Sequence, residues 1–191
     1  MLLRIDHIAI AVRDYPAARN FFETLSTLVP GASATDETKK YTWQLLSLGD
    51  LSRLELLSPT GEGSFLDGFL KNREGGFHHI TFQTGDIQEA KSRLEQNGIP
   101  YFGYNEYPGN VWKELFIHPK HAFGVLIQIA EFQADHWLAP SLHLKQGKKW
   151  ELTSGADGVG IKFAHPGGGT VTLDLTRDEV RQLMDELGNL T

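Results

Sequence analysis

The chain has 191 residues, 40% hydrophobic and 22% charged, which suits one folded domain with an appendage and a real buried core. Eighteen Lys and Arg against 24 Asp and Glu give a net charge of −6, which disfavours a nucleic-acid or anionic-membrane surface. There is no cysteine, so disulfides and thiolate zinc sites are excluded, and any metal must bind through His and oxygen ligands.

At the N-terminus, Arg4 and Asp6 interrupt the apolar core a signal peptide needs, and no apolar run approaches the about 20 residues of a membrane span. A cytoplasmic protein is expected. His7-Ile8 opens an apolar strand, with Asp14 seven and Ala18 eleven positions after His7. Ala18, Phe21, Phe22, Leu25 and Leu28 then recur at helical spacing, predicting an amphipathic helix that ends near Pro30-Gly31. A weak strand is expected near Ala32–Thr35. Stronger ones follow at Tyr41–Leu48 and Leu51–Leu57, joined by a turn at Gly49-Asp50.

The pattern then repeats. His79-Ile80 has Asp86 at plus seven and Ala90 at plus eleven, and Ile87, Ala90 and Leu94 form a helical stripe ending at Gly98. A weak strand near Tyr101–Tyr104 precedes Val111–Ile117 and Val125–Ile129, joined through His118-Pro119-Lys120. Each half therefore reads as βαβββ. The expected fold class is α+β: paired modules, about 1–60 and 75–132, forming a curved eight-stranded sheet around a metal cleft. Residues 1–132 make this domain, and 133–191 an accessory β/α element. In that element Ala130–Gly147 reads as irregular. Trp150–Thr153, Val159–Phe163 and Thr170–Leu175 read as strands, and Thr176-Arg177-Asp178-Glu179 as a capping box that starts a helix ending at Gly188.

Four polar residues inside apolar strands need partners, because burying one alone costs roughly 1–3 kcal/mol. They are His7, Glu55, His79 and Gln128. Glu55 lies 48 residues after His7, and Gln128 lies 49 after His79, so each half offers a His from its first strand and an oxygen donor from its last. Converging in a pseudo-twofold cleft, they would suit a divalent Co, Ni, Mn, Fe or Zn ion. Strand alternation turns His78 to the opposite face, and His118, His121, His136, His143 and His165 read as surface residues.

The segments Asp6–Val12, Glu55–Pro59, Phe69–Ile80 and Phe116–Lys120 with Gly124–Ile127 resemble the vicinal oxygen chelate (glyoxalase/bleomycin-resistance/dioxygenase) superfamily, and within it the methylmalonyl-CoA epimerase branch. The resemblance covers roughly the first 130 residues and none of the tail. It places the metal ligands on His7, Glu55, His79 and Gln128. It also marks a departure, since the family's last strand supplies a glutamate where this chain has Gln128. The catalytic base it implies is Glu55, exchanged with Gln128 across the pseudosymmetry, with Glu37 as second candidate. The implied activity is metal-assisted enolisation and epimerisation of an acyl-thioester such as a CoA thioester, by a homodimer without nucleic-acid or membrane partners. Lys71, Arg73, Lys113 and Lys120 could supply charge for an anionic substrate, although solvated side chains are the better account of each. The alternatives are another metal enzyme of the superfamily, lactoylglutathione-lyase-like or a dioxygenase, and a non-catalytic small-molecule-binding protein of the same fold.

Overall fold

The computed structural model describes residues 2–25, 28–48, 52–137, 144–165 and 168–190. The turn at Gly49-Asp50, Pro140 and His143 lie outside the described residues.

The first module runs β1 (Leu2–Val12), α1 (Tyr15–Leu25), β2 (Val29–Asp36), β3 (Tyr41–Ser47) and β4 (Arg53–Pro59). A short helix, α2 (Asp67–Leu70), links it to the second. That module runs β5 (Gly75–Thr84), α3 (Ile87–Gln96), β6 (Phe102–Glu106), β7 (Lys113–Ile117) and β8 (Leu126–Glu131). All eight strands form one sheet in the order β2-β3-β4-β1-β5-β8-β7-β6. The order is symmetric about the antiparallel β1–β5 pair, and each half closes its crossover with a parallel pair, β1–β4 and β5–β8. This is the paired-module sheet expected from the repeat. The helix α2 has no counterpart in the sequence reading.

The helices cover one face because their apolar stripes match that face. Ile10, Leu46, Leu54 and Leu56 pack with Tyr15, Ala18 and Phe22 of α1, while Leu115, Ile117 and Ile129 pack with Ile87 and Leu94 of α3. Asp86 caps α3 by accepting from the amides of Gln88 and Glu89, and Gly98, at φ +64°, ends it. The other face is left for side chains that alternate with this core, His7 and Ala9 on β1 among them. Ala9, Ala11 and Leu57 there pack with Leu66 and Leu70 around α2, sealing one end of the cleft.

The appendage is a second, three-stranded antiparallel sheet in the order β11-β10-β9: β9 (Trp150–Ser154), β10 (Gly158–Ala164) and β11 (Thr170–Thr176). It is followed by α4 (Arg177–Gly188), whose capping box is formed, with the Thr176 hydroxyl and the Glu179 carboxylate serving each other's amides.

Candidate metal centre

His7, Glu55 and His79 converge at the seam between the halves. One potential ligand atom from each lies within 4.8 Å of the others. Glu55 Oε2 is 3.6 Å from His7 Nε2 and 3.5 Å from His79 Nε2. The antiparallel β1–β5 pair brings the two histidines together, with ring centroids 5.6 Å apart, and the parallel β1–β4 pair sets Glu55 beside Ala9.

Two β-bulges aim the imidazoles. On β1, Ile5 pairs with Phe82 and His7 with Thr81, so Asp6 is the extra residue; on β5, Ala9 pairs with His79 and Ile10 with Phe77, so His78 is the extra one. A bulge breaks alternation and turns the inserted residue toward its neighbour's side. Asp6 Oδ2 thus accepts from His7 Nδ1 at 2.8 Å, and His78 Nδ1 meets His79 Nδ1 at 2.9 Å. The expectation for His78 is corrected here. It is half-buried beside the rings of Phe65 and Phe69 and orients His79, because the bulge cancels the alternation that would have turned it outward. His118, His121 and His136 are exposed, whereas His165 is half-buried in a cleft lined by Leu3, Gln83 and Phe132.

Gln128 is buried beside this cluster, since Thr81 faces both His7 across β1–β5 and Gln128 across β5–β8. The Thr81 hydroxyl donates to Gln128 Oε1 at 2.5 Å and lies 2.9 Å from His7 Nε2. Gln128 Nε2 donates to Glu114 Oε2 at 2.7 Å. Glu37 is not brought to the cluster. It is exposed in the β2–β3 turn, where Asp36 accepts from the amides of Thr38 and Lys39.

Residues 6–116 match the sequence profile of the glyoxalase/bleomycin resistance protein/dioxygenase superfamily. The chain belongs to that superfamily. Within it the protein is methylmalonyl-CoA epimerase-like. It is 35% identical over 134 residues to the ethylmalonyl-CoA/methylmalonyl-CoA epimerase of Cereibacter sphaeroides, covering 69% of this chain and 99% of that one. Methylmalonyl-CoA epimerase from Mycobacterium tuberculosis superposes with a TM-score of 0.61 at 26% identity, over 72% of this chain and 89% of the other. A variant of the Streptomyces coelicolor epimerase in complex with 2-nitronate-propionyl-CoA gives 0.62 at 28%, over 69% and 99%.

The donor set of this superfamily member fits a divalent ion. His79 Nε2 is buried and has no hydrogen-bond partner, a costly state for a nitrogen lone pair unless something coordinates it. Electrostatics divides the two imidazoles. Burial by itself would lower His7, but Glu55 and Asp6 outweigh it and raise it to about 9. Burial drives His79 down to about 3 despite the pull of Glu55, because its bulge partner is an imidazole and not a carboxylate. Burial would likewise raise Glu55, yet His7 and His79 keep it below the ordinary carboxylate range, hence ionised. Asp6, also against the effect of burial, is held at about 2 by His7, Arg53 and Arg4.

A proton count follows. At pH 7.5 His7 holds a proton on the nitrogen that would ligate, and His79 does not. Co2+ uptake is therefore expected to release close to one proton per ion and to tighten as pH rises toward 9. Calorimetric titration in buffers of different ionisation enthalpy measures this, and zero release would exclude His7 as a ligand. The same shift bears on the metal-free fold. The His7 value in the folded state lies above its ordinary 6.5, so the stabilisation it gives is complete below pH 6.5 and is lost as pH rises through about 9. The melting temperature of metal-stripped protein should fall across that window.

Sequence reasoning missed Asp6, His78, Thr81 and Glu114. The first three signal themselves only through neighbours, as polar residues adjoining the two histidines or two positions beyond one. Glu114 reads as one half of a Lys113-Glu114 charged pair at a strand start, yet it is 6% exposed, while Lys113 pairs instead with Glu131 at 2.7 Å.

Proposed function

We propose that this protein is a metal-dependent epimerase that enolises an acyl-thioester of the methylmalonyl-CoA kind. The observation that carries this reading is the buried His7–Glu55–His79 cluster with its unpartnered His79 nitrogen, in a chain similar along its first two-thirds to CoA-thioester epimerases. His7, Glu55 and His79 would hold the ion, with Gln128 as the fourth ligand. A divalent ion bound there supplies Lewis acidity that polarises the substrate carbonyl.

The side chains do the rest. Glu55, ionised in the cleft, takes the α-proton; a carboxylate has two oxygens, so one can ligate while the other accepts a proton. The carbon–hydrogen bond breaks, its electron pair delocalises onto the thioester oxygen, and the Glu55 carboxyl returns the proton to carbon on either face, the opposite one giving the epimer. Glu37, exposed in the β2–β3 turn away from the cluster, takes no part in this step. Lys71 and Lys120 are exposed and Arg73 lies over the Phe69 ring, so these, and not the paired Lys113, are available to an anionic substrate.

The test is proton NMR of methylmalonyl-CoA in heavy water with Co2+-loaded protein. Loss of the α-proton signal at catalytic protein concentrations supports the reading, and its persistence with every divalent ion tried overturns it. The same two-His, one-carboxylate set would serve a dioxygenase, which oxygen uptake with a catechol would reveal. The reading includes a cytoplasmic homodimer with residues 133–191 as an accessory element. Light scattering on the eluting protein measures the oligomeric state. Among the described residues no helix is long and apolar enough to cross a membrane.

A further inference from the structure

An amide can turn either end to a metal ion, but only its oxygen coordinates. A chain that places glutamine on β8 as a ligand therefore needs something to choose the end. Glu114 on β7 is in position to make that choice. It is buried, and four donors surround its carboxylate: Asn105 Nδ2 and Tyr107 OH on Oε1, each at 3.2 Å, and Trp112 Nε1 at 2.9 Å and Gln128 Nε2 at 2.7 Å on Oε2.

Trp112 Nε1 can only donate, so Glu114 Oε2 is an acceptor and the Gln128 amino end faces it; the reverse orientation would press two acceptors together at 2.7 Å. The amide oxygen is thereby sent the other way, to the Thr81 hydroxyl and the two histidines. The polarity is fixed from Thr81 onward. Thr81 donates to Gln128 and Gln128 donates to Glu114, while His7 Nε2 lies 2.9 Å from the Thr81 hydroxyl. Glu114 ends the row as an acceptor, so the Gln128 amide cannot reverse without leaving buried groups unpaired.

We propose that Glu114 is a positioning residue of the metal centre, one that holds the Gln128 amide oxygen toward His7 and His79 so that an amide serves where an acid would otherwise ligate. This rests on the metal-centre reading given above. Glu114 is no base for the substrate, since about four lone-pair sites on a carboxylate meet four donors here. Its donors are all neutral, and no salt bridge to it occurs among the described residues. A cation one residue away at Gln128 would supply the counter-charge that a buried carboxylate otherwise lacks.

The test compares Co2+ binding by wild type, Glu114→Met, and the double variant Glu114→Met with Gln128→Glu. Methionine at position 114 keeps the length of the side chain but offers no strong acceptor to the Gln128 amino end, so the lock on orientation is lost with little change in shape. The single variant should bind Co2+ about 10–100-fold more weakly, the range for loss of an outer partner of a ligand, and the visible Co2+ spectrum should change. A glutamate on β8 needs no orienting, so the double variant should recover wild-type affinity. Its second substitution exchanges an amide for a carboxylate of the same shape and so adds no change in packing. A purely structural role would lower the metal-free melting temperature without this rescue. Unchanged affinity and spectrum in the single variant, or no recovery in the double, would overturn the proposal. None of these measurements uses a thioester, so wild type that binds Co2+ but exchanges no α-proton sinks the epimerase reading alone. Wild type that binds no divalent ion sinks both.

Discussion

Replacing Glu55 with glutamine is expected to leave stoichiometric Co2+ binding in place while slowing exchange of the substrate α-proton by roughly two orders of magnitude or more. The amide oxygen can still coordinate, so the ligand count survives. What disappears is the carboxylate that, alone among the described residues, reaches both histidines, 3.6 and 3.5 Å from their Nε2 atoms. An amide has no lone pair basic enough to take a proton from carbon at neutral pH, so binding and chemistry should separate cleanly. Proton NMR in heavy water gives the exchange rate, and titration of the same preparation gives the Co2+ stoichiometry. Undiminished exchange in Glu55→Gln would remove Glu55 as base. Loss of the ion together with exchange would show instead that the charge of Glu55 is needed for binding.

His7→Ala and His79→Ala are expected to abolish stoichiometric metal binding, an effect larger than the about 10–100-fold cost of losing an outer partner. The fold should persist. Both histidines lie on the cleft face, whereas the apolar clusters under α1 and α3 lie on the other. Removing His7 does not strand Asp6, which keeps Arg4 and Arg53 as partners. Wild type should gain about 2.7 kcal/mol of stability at an ion concentration 100 times the dissociation constant, seen as a higher melting temperature. The two variants should gain none. A metal-dependent rise that survives in either would place the ion elsewhere. His79→Ala also separates the two imidazoles electrostatically. It leaves His7 with Asp6 and Glu55, so proton-linked effects above pH 6.5 should remain while metal binding is lost.

The sequence by itself determined the architecture. Strands of period two and helices of period 3.6 recur in the same order after His7 and after His79, and two such units can bury their apolar faces only by sharing a sheet with the helices on one side. It also placed His7, Glu55 and His79, because a polar residue inside an apolar strand demands a partner, and the repeat supplied one from the other half. The appendage was legible too, from its alternating strands and the capping box at Thr176. The sequence did not contain the registers. Two one-residue bulges, at Asp6 and His78, decide which nitrogen each histidine presents and why His7 is held charged to about pH 9 while His79 is held neutral. A bulge is a mismatch between two strands, so it leaves no mark on either strand alone. Glu114 was hidden for a related reason. Next to Lys113 it looks like a solvated charge, and only the antiparallel pairing of β7 with β8, which sets Phe116 opposite Gln128 and Glu114 opposite Ala130, turns its carboxylate inward to the Gln128 amide. Periodicity reports which face a residue takes on its own strand; which side chains meet across strands is fixed by register, and register is a property of the folded sheet.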